Sequence, residues 1–260
     1  MSLKALSKYS KLDTLSETEG SYTQLAVARE TGARVAIKSL LTTTLSSGAL
    51  MRIQYEASLL AQLDSEAYAS PIEVISDEDA IHIVSRFSRG VSLAKRVEVG
   101  PLDVKDVLYI AHVILTGLSA IHEKRILHRA VRPSHILVNS TGGITTAKLI
   151  DFGSVCTPLS KLKDTSRLTS HARYFSPEQS GSIDHDLIEA SDLYSLGATL
   201  FEALAGYPPY NGSDLHTILF KHMTSSVPDL RTLGLRVPRA LDEVIGRLLR
   251  KDPRERYQSA

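Results

Sequence analysis

Ile126-Leu127-His128-Arg129-Ala130-Val131-Arg132-Pro133-Ser134-His135-Ile136-Leu137 is the stretch whose reading decides the fold. Two β-prone apolar runs flank a polar turn. Pro133, with no N–H and a fixed φ, forbids a regular helix through it. A second unit, Lys148-Leu149-Ile150-Asp151-Phe152-Gly153, follows closely. Between the two, Ile136 to Val138, a turn at Gly142-Gly143 and Thr146 to Ile150 read as a short hairpin that carries Asp151 at its exit.

Upstream, Asp103 starts a helix in which Val107, Ile110, Ala111, Ile114, Leu118 and Ile121 share a face, and this helix leads into the turn. Nearer the N-terminus, Tyr22 to Ala28 and Arg34 to Ser39 read as strands joined at Glu30-Thr31-Gly32. Alternation in Val35-Ala36-Ile37-Lys38 buries Val35 and Ile37 and puts Lys38 on the opposite face. A helix from about Ala49 to Leu63 carries the stripe Ile53, Leu59, Leu60 and Leu63, with Glu56 inside it. Ala80 to Phe87 is an apolar strand, broken by Ser88-Arg89-Gly90. Downstream, Ser154 to Phe175 is polar and reads as a long loop ending in Ser176-Pro177-Glu178. A very apolar helix runs from Ser191 to Ala205 with Asp192 in its first turn, and Gly206, Pro208 and Pro209 stop it. Leu215 to Met223 and Leu241 to Leu249 read as two more helices, before Asp252-Pro253-Arg254-Glu255-Arg256.

The chain has 260 residues, 43% of them hydrophobic, enough for one large domain or two small lobes. Thirty Lys and Arg balance 29 Asp and Glu, which gives no support to a nucleic-acid or membrane-surface partner. A single cysteine, Cys156, excludes a disulfide within the chain and a zinc site built on cysteines, and reads as a small buried apolar residue. Lys4, Lys8 and Lys11 are followed by no apolar block, so no signal peptide is expected. Val107 to Ile121 is broken by His112, Thr116, Gly117 and Ser119, and reads as a buried helix with no membrane span. A soluble protein of the cytoplasm is the expectation.

The landmarks Lys38, Glu56, His128-Arg129, Asp151-Phe152-Gly153, Ser176-Pro177-Glu178, Asp192 and Arg256 resemble, in order and spacing, those of protein kinases from about residue 9 to the end. The resemblance implies an α+β, bilobal fold over residues 1–260. A small β-rich N-lobe would cover about 9–87, a hinge about 86–90 and a large helical C-lobe about 91–260, without the family's last helix. It also implies roles. Gly20 would lie in the loop over the ATP phosphates, and Ala36 would line the nucleotide pocket. Lys38 would hold the α- and β-phosphates and be held by Glu56. Arg86, Phe87 and Ser88 would be hinge positions, where adenine meets backbone groups. Asp151 would bind Mg²⁺. His128 would pack under the metal loop beside Arg129, Asp192 would hold the catalytic-loop backbone, and Arg256 would pair with Glu178.

The departures from the family pattern are concentrated on catalysis. Ala130 stands at the position of the base Asp, and has no acceptor for a hydroxyl proton. His135 stands at the position of the metal-binding Asn, and imidazole is a poor substitute for oxygen on a hard Mg²⁺ ion. Arg132 replaces the usual Lys, keeping the charge on a longer, forked side chain. Thr18 and Thr23 flank Gly20 at the other two glycine positions, which restricts backbone approach to phosphates. Ser170-His171 replaces Gly-Thr. Three readings follow: a pseudokinase that still binds ATP, with Mg²⁺ binding weakened; a weakly active serine/threonine kinase using His135 or His128 as surrogate base; and an interaction scaffold without nucleotide. A narrower resemblance rests on Ser176-Pro177-Glu178-Gln179-Ser180-Gly181, the run Asp192 to Tyr210, and Arg256-Tyr257-Gln258-Ser259-Ala260. These look like the N-terminal kinase-like domain of multi-domain hybrid sensor histidine kinases, proteins of two-component signalling. That implies other domains of a longer signalling chain as partners, and leaves a protein substrate open.

Overall fold

Alternating burial along residues 34–41 organises the first lobe. In a computed structural model that describes residues 6–18, 20–63, 65–140, 142–151, 165–180 and 186–260, strands β1 (Tyr9–Thr18), β2 (Ser21–Ala28), β3 (Arg34–Leu41), β4 (Pro71–Ser76) and β5 (Ala80–Arg86) form an antiparallel sheet in the order β1-β2-β3-β5-β4. Val35 and Ile37 turn into a small core with Ala26 and Val84. Ala36 and Lys38, one step out of phase, take the other face, toward the second lobe.

β1 and β4 have no counterpart in the sequence reading, and β1 shows why. It is an edge strand paired only to β2 and exposed along most of its length. Register breaks between Lys11 and Asp13 and between Thr14 and Ser16 interrupt its two-residue period. An edge strand with bulges leaves no alternation to read.

Helix α1 (Ser47–Leu60) packs across the sheet through Ile53, Ala57 and Leu60, and the Ser46 hydroxyl accepts from Ala49 N to cap it. It begins and ends earlier than the periodicity suggested. Leu59 is half-buried, and Leu63 belongs to the turn that follows.

The second lobe holds a small sheet of β6 (Val91–Ser92), β7 (Ile136–Ser140) and β8 (Ile144–Leu149). Around it stand α2 (Leu93–Glu98), α3 (Val104–His122), α4 (Thr165–Ala172), α5 (Glu189–Ala205), α6 (Leu215–Thr224) and α7 (Arg239–Leu248). α3 has the length and apolarity of a membrane span, and buries Val107, Ile110, Ile114, Leu118 and Ile121 in the lobe core. α5 is buried almost all round, as the central helix of a core must be. It packs so closely on α7 that a Cβ at Gly197 would lie 2.7 Å from Leu248 Cβ. At its end Gly206 takes φ +82° and returns its N–H to Glu202 O.

The two lobes meet along the backbone as well as by packing. Leu149 N donates to Ala67 O and Ala69 N to Leu149 O, so the strand leading to Asp151 is tied to the segment before β4.

The polar segment expected to be a loop contains a helix. α4 owes its place to Leu168 and Ala172, four residues apart, which bury with Phe175 against Ile218 of α6. Two apolar positions in a polar run are too few to announce a helix. Phe152, Gly153, Cys156 and Gly181 lie outside the described residues.

Candidate functional site

Between the sheet and the helical lobe lies a cleft of about 1110 Å³. Gly20, Ala36 and Lys38 line it from above, Arg86, Phe87 and Ser88 from the connecting segment, and Arg129, Ala130, Arg132, His135 and Asp151 from below. Chain segments far apart in sequence converge there, while Glu56 and His128 are buried behind it.

The lower wall is fixed by one buried carboxylate. Asp192, at the start of α5, accepts from His128 N and Arg129 N, each at 2.7 Å, and from His122 Nε2 at 2.9 Å. Two non-glycine residues here hold left-handed backbone, Arg129 at φ 63° and Asp151 at φ 74°. Such conformations cost energy and persist only where surrounding contacts impose them. His128 Nε2 donates to Ile150 O at 3.0 Å, and burial pushes its pKa down. Gln179, which the sequence reading assigned no role, donates Nε2 to Arg129 O and accepts at Oε1 from Ser176 N, both at 2.9 Å.

The expected Lys38–Glu56 pair is not among the ion pairs of the described residues. Glu56 is held by the Arg129 guanidinium, Nη1 to Oε2 at 2.9 Å and Nη2 to Oε1 at 2.7 Å. Arg129 presents a planar fork that matches a carboxylate at both oxygens, which a lysine ammonium cannot do. Lys38 pairs with Asp151 Oδ1 instead. Burial would raise the Asp151 carboxyl, but the Lys38 ammonium and the His135 ring together outweigh it and hold the group well below the usual carboxylate range.

His135 is held in the loop through both ring nitrogens. Its Nδ1–H donates to Ala130 O at 2.9 Å. Its Nε2 accepts from Arg132 Nε at 3.0 Å and Nη2 at 2.6 Å, and lies 2.9 Å from Asp151 Oδ2. Burial, together with the Arg132 cation, pushes the His135 pKa down to about 4 against the pull of Asp151, so the ring is neutral near pH 7.

At the upper wall Thr18 serves the β1–β2 turn, accepting at Oγ1 from Ser21 N at 3.0 Å. At the outer end Tyr174 donates its hydroxyl to Glu202 Oε2 at 2.5 Å. Both residues line the cleft, and neither carried a local signal by which sequence could find them.

Away from the cleft, Arg256 is buried and grips Glu178 through Nη1 at 2.6 Å and Nη2 at 3.0 Å, while the Ser191 hydroxyl donates to Glu178 Oε1. Arg254 pairs with Asp252 at the surface. A Ser39–His82–Asp77 relay in the first lobe has hydrolase-like bonds of 2.8 and 3.0 Å. Its serine is 0% exposed, so it is a structural tie between β3 and β5 and offers no surface to a substrate.

The protein kinase domain profile matches residues 9–260 of this architecture. The chain belongs to the protein kinase family. It is 31% identical over 215 residues to the serine/threonine-protein kinase PrkC of Bacillus subtilis, covering 81% of this chain and 32% of PrkC. It is 32% identical over 212 residues to the probable serine/threonine-protein kinase PknB of Lactococcus lactis, covering 80% of this chain and 33% of that protein. The chain thus spans about a third of the length of these curated relatives. A crystal structure of Rad53 in complex with AMP-PNP shares the fold, with a TM-score of 0.77 at 22% identity, covering 96% of this chain and 62% of that one. Protein kinases in general use ATP and Mg²⁺. At the family's metal position this domain offers one carboxylate, Asp151, and one imidazole nitrogen, His135 Nε2. Each already faces a cation, Lys38 and Arg132, and a nitrogen donor suits a hard Mg²⁺ ion poorly.

Proposed function

We propose that this kinase domain is a pseudokinase, a signalling module whose cleft takes an adenine nucleotide while phosphoryl transfer is lost or very slow. The observation that carries the reading is Ala130 at the base position, with both candidate surrogates committed elsewhere. Asp151 is paired with Lys38, and Ala130 contributes a methyl group where a substrate hydroxyl would need an acceptor. His128 is buried behind the cleft with its Nε2–H on Ile150 O, out of reach of a substrate, and His135 Nε2 faces Arg132. Loss of general base catalysis costs about 10²–10⁴ in rate. The nucleotide half of the proposal rests on the family and on the open cleft with Lys38 and Asp151 in it.

A weakly active serine/threonine kinase is the second reading, favoured by the names of the relatives. A nucleotide-free scaffold is the third, favoured by Thr18 and Thr23 beside Gly20. Intracellular output through other domains of a longer signalling chain, as in hybrid sensor histidine kinases, belongs to the same proposal and rests on the narrower sequence resemblance.

Thermal-shift titration with ATP, combined with a radiolabelled transfer assay, separates the three. Nucleotide stabilisation without transfer is the expected result. Stoichiometric phosphorylation of a protein, abolished by Lys38→Met, sinks the pseudokinase reading. No stabilisation by any adenine nucleotide leaves the scaffold. Ala130→Asp alone restores little transfer, because His135 still lacks a metal-binding oxygen.

A further inference from the structure

Lys251, just after α7, is held unlike a surface lysine. Its Nζ lies 4.0 Å from the centroid of the Tyr210 ring and 2.8 Å from the Tyr210 hydroxyl. Burial pushes the Tyr210 pKa up, so the phenol keeps its proton and donates it to Ser226 O at 3.3 Å. The hydroxyl therefore accepts from Lys251, and the lone pair of the unprotonated amine is not spent on it. None of the ion pairs among the described residues includes Lys251. Its charged neighbour is instead a cation, Arg256, whose Nη2 donates to the Lys251 carbonyl at 2.9 Å. His222, kept neutral near pH 7 by burial, packs on the same Tyr210 ring at 4.9 Å between centroids. The ring face favours an ammonium. Burial first, and then Arg256, disfavour it more, and the Lys251 pKa falls to about 7.

Lys251 also lines a hollow of about 620 Å³ between α7 and the loop after α6, on the far side of the helical lobe from any residue of the cleft. Asp229, Asp242, Glu243, Arg250 and Glu255 are the other charged groups on its walls. We propose that Lys251 is an acylation site, a nucleophilic amine in this hollow that takes the acyl group of a small acyl phosphate. A lysine withdrawn from water beside another cation is one of the ways an amine is activated as a nucleophile. The unprotonated Nζ attacks the carbonyl carbon. The C–N bond forms, the bond from that carbon to the phosphate oxygen breaks, phosphate leaves with the electron pair, and the surplus proton on nitrogen passes to solvent. The product is a neutral amide, which suits a setting that disfavours positive charge beside Arg256. A hollow of this size has room for a donor as small as acetyl phosphate.

Incubating the folded chain with acetyl phosphate from pH 6 to pH 9, with each lysine followed by peptide mass spectrometry, tests this without a variant. Half of an amine is free at its own pKa, against on the order of one in 10³ at pH 7 for a lysine near 10.4, and lower basicity gives part of that gain back. At pH 7 Lys251 should therefore be acetylated about tenfold faster, or more, than exposed Lys105 and Lys124. Its rate should level off just above pH 7, while theirs climb to pH 9. In urea the selectivity should vanish, because it belongs to the folded setting. A Lys251 rate at pH 7 no higher than that of the exposed lysines, a rate that climbs with theirs to pH 9, or selectivity that persists in urea overturns the site.

Discussion

Glu56 and Arg129 hold each other in a two-pronged buried ion pair, so the helix of the first lobe is anchored to the backbone of the catalytic loop. Arg129 has left-handed backbone, with its N–H on Asp192. One residue thus links α1, the loop and α5. Removing one partner of a buried pair costs about 3–5 kcal/mol, since the other charge is left without compensation. Arg129→Ala should lower the free energy of urea unfolding by that order. Arg239→Ala, which removes an exposed pair with Glu243, should barely move it. Equal shifts for the two variants would show that the pair does not anchor the helix.

Arg256 offers a second anchor of the same kind. Its guanidinium also donates to the carbonyls of Ala190, Arg250 and Lys251, so it ties Glu178 and the start of α5 to the segment after α7. Arg256→Ala should cost about 3–5 kcal/mol in chemical unfolding. Arg254→Ala, on the surface, is the control, and a comparable effect there would reject this assignment.

Acid sensitivity should begin with histidine. The His135 pKa is pushed down to about 4 and that of His222 to about 3, in both cases first by burial. The unfolded chain takes up these protons near pH 6.5 while the fold refuses them. Stability is therefore complete above about pH 6.5 and falls as pH drops toward the folded values. For His135 alone the loss is on the order of 3 kcal/mol by pH 4. Glu178, whose carboxyl Arg256 holds down against burial, adds its own loss only at lower pH, below the ordinary glutamate range. Unfolding midpoints measured from pH 7 to pH 4 should show this slope, flattened in His222→Gln. A flat wild-type profile over that range would contradict it.

Magnesium should matter little to nucleotide affinity. Lys38 already neutralises Asp151, and the second donor is a nitrogen. Adenine contacts to the connecting backbone near Phe87 should outlast phosphate contacts. ADP and ATP should bind alike, and Mg²⁺ should change either by less than about 1.4 kcal/mol, a factor of ten. Strictly Mg²⁺-dependent ATP binding in calorimetry would shift the reading to an active kinase.

The sequence by itself determined the long, regular elements and which residue types meet in the cleft. Alternation at Val35-Ala36-Ile37-Lys38 turns Lys38 to the cleft, because a strand has a period of two. The apolar stripe of Val107 to Ile121 specifies a core helix, and Ala130 and His135 depart from the family pattern by residue type alone. Partnerships were decided only in three dimensions. The sequence pointed Glu56 to Lys38, and the fork geometry of Arg129, 73 positions away, took it instead. β1 escaped reading because bulges broke its period, and α4 because its apolar face is completed by Phe175 and by Ile218 of another helix. The His135 ring came to lie among Arg132, Asp151 and Ala130 O only in the folded loop. Periodicity is local and survives in sequence, whereas hydrogen-bond and ion-pair partners are set by where the folded chain brings distant groups together.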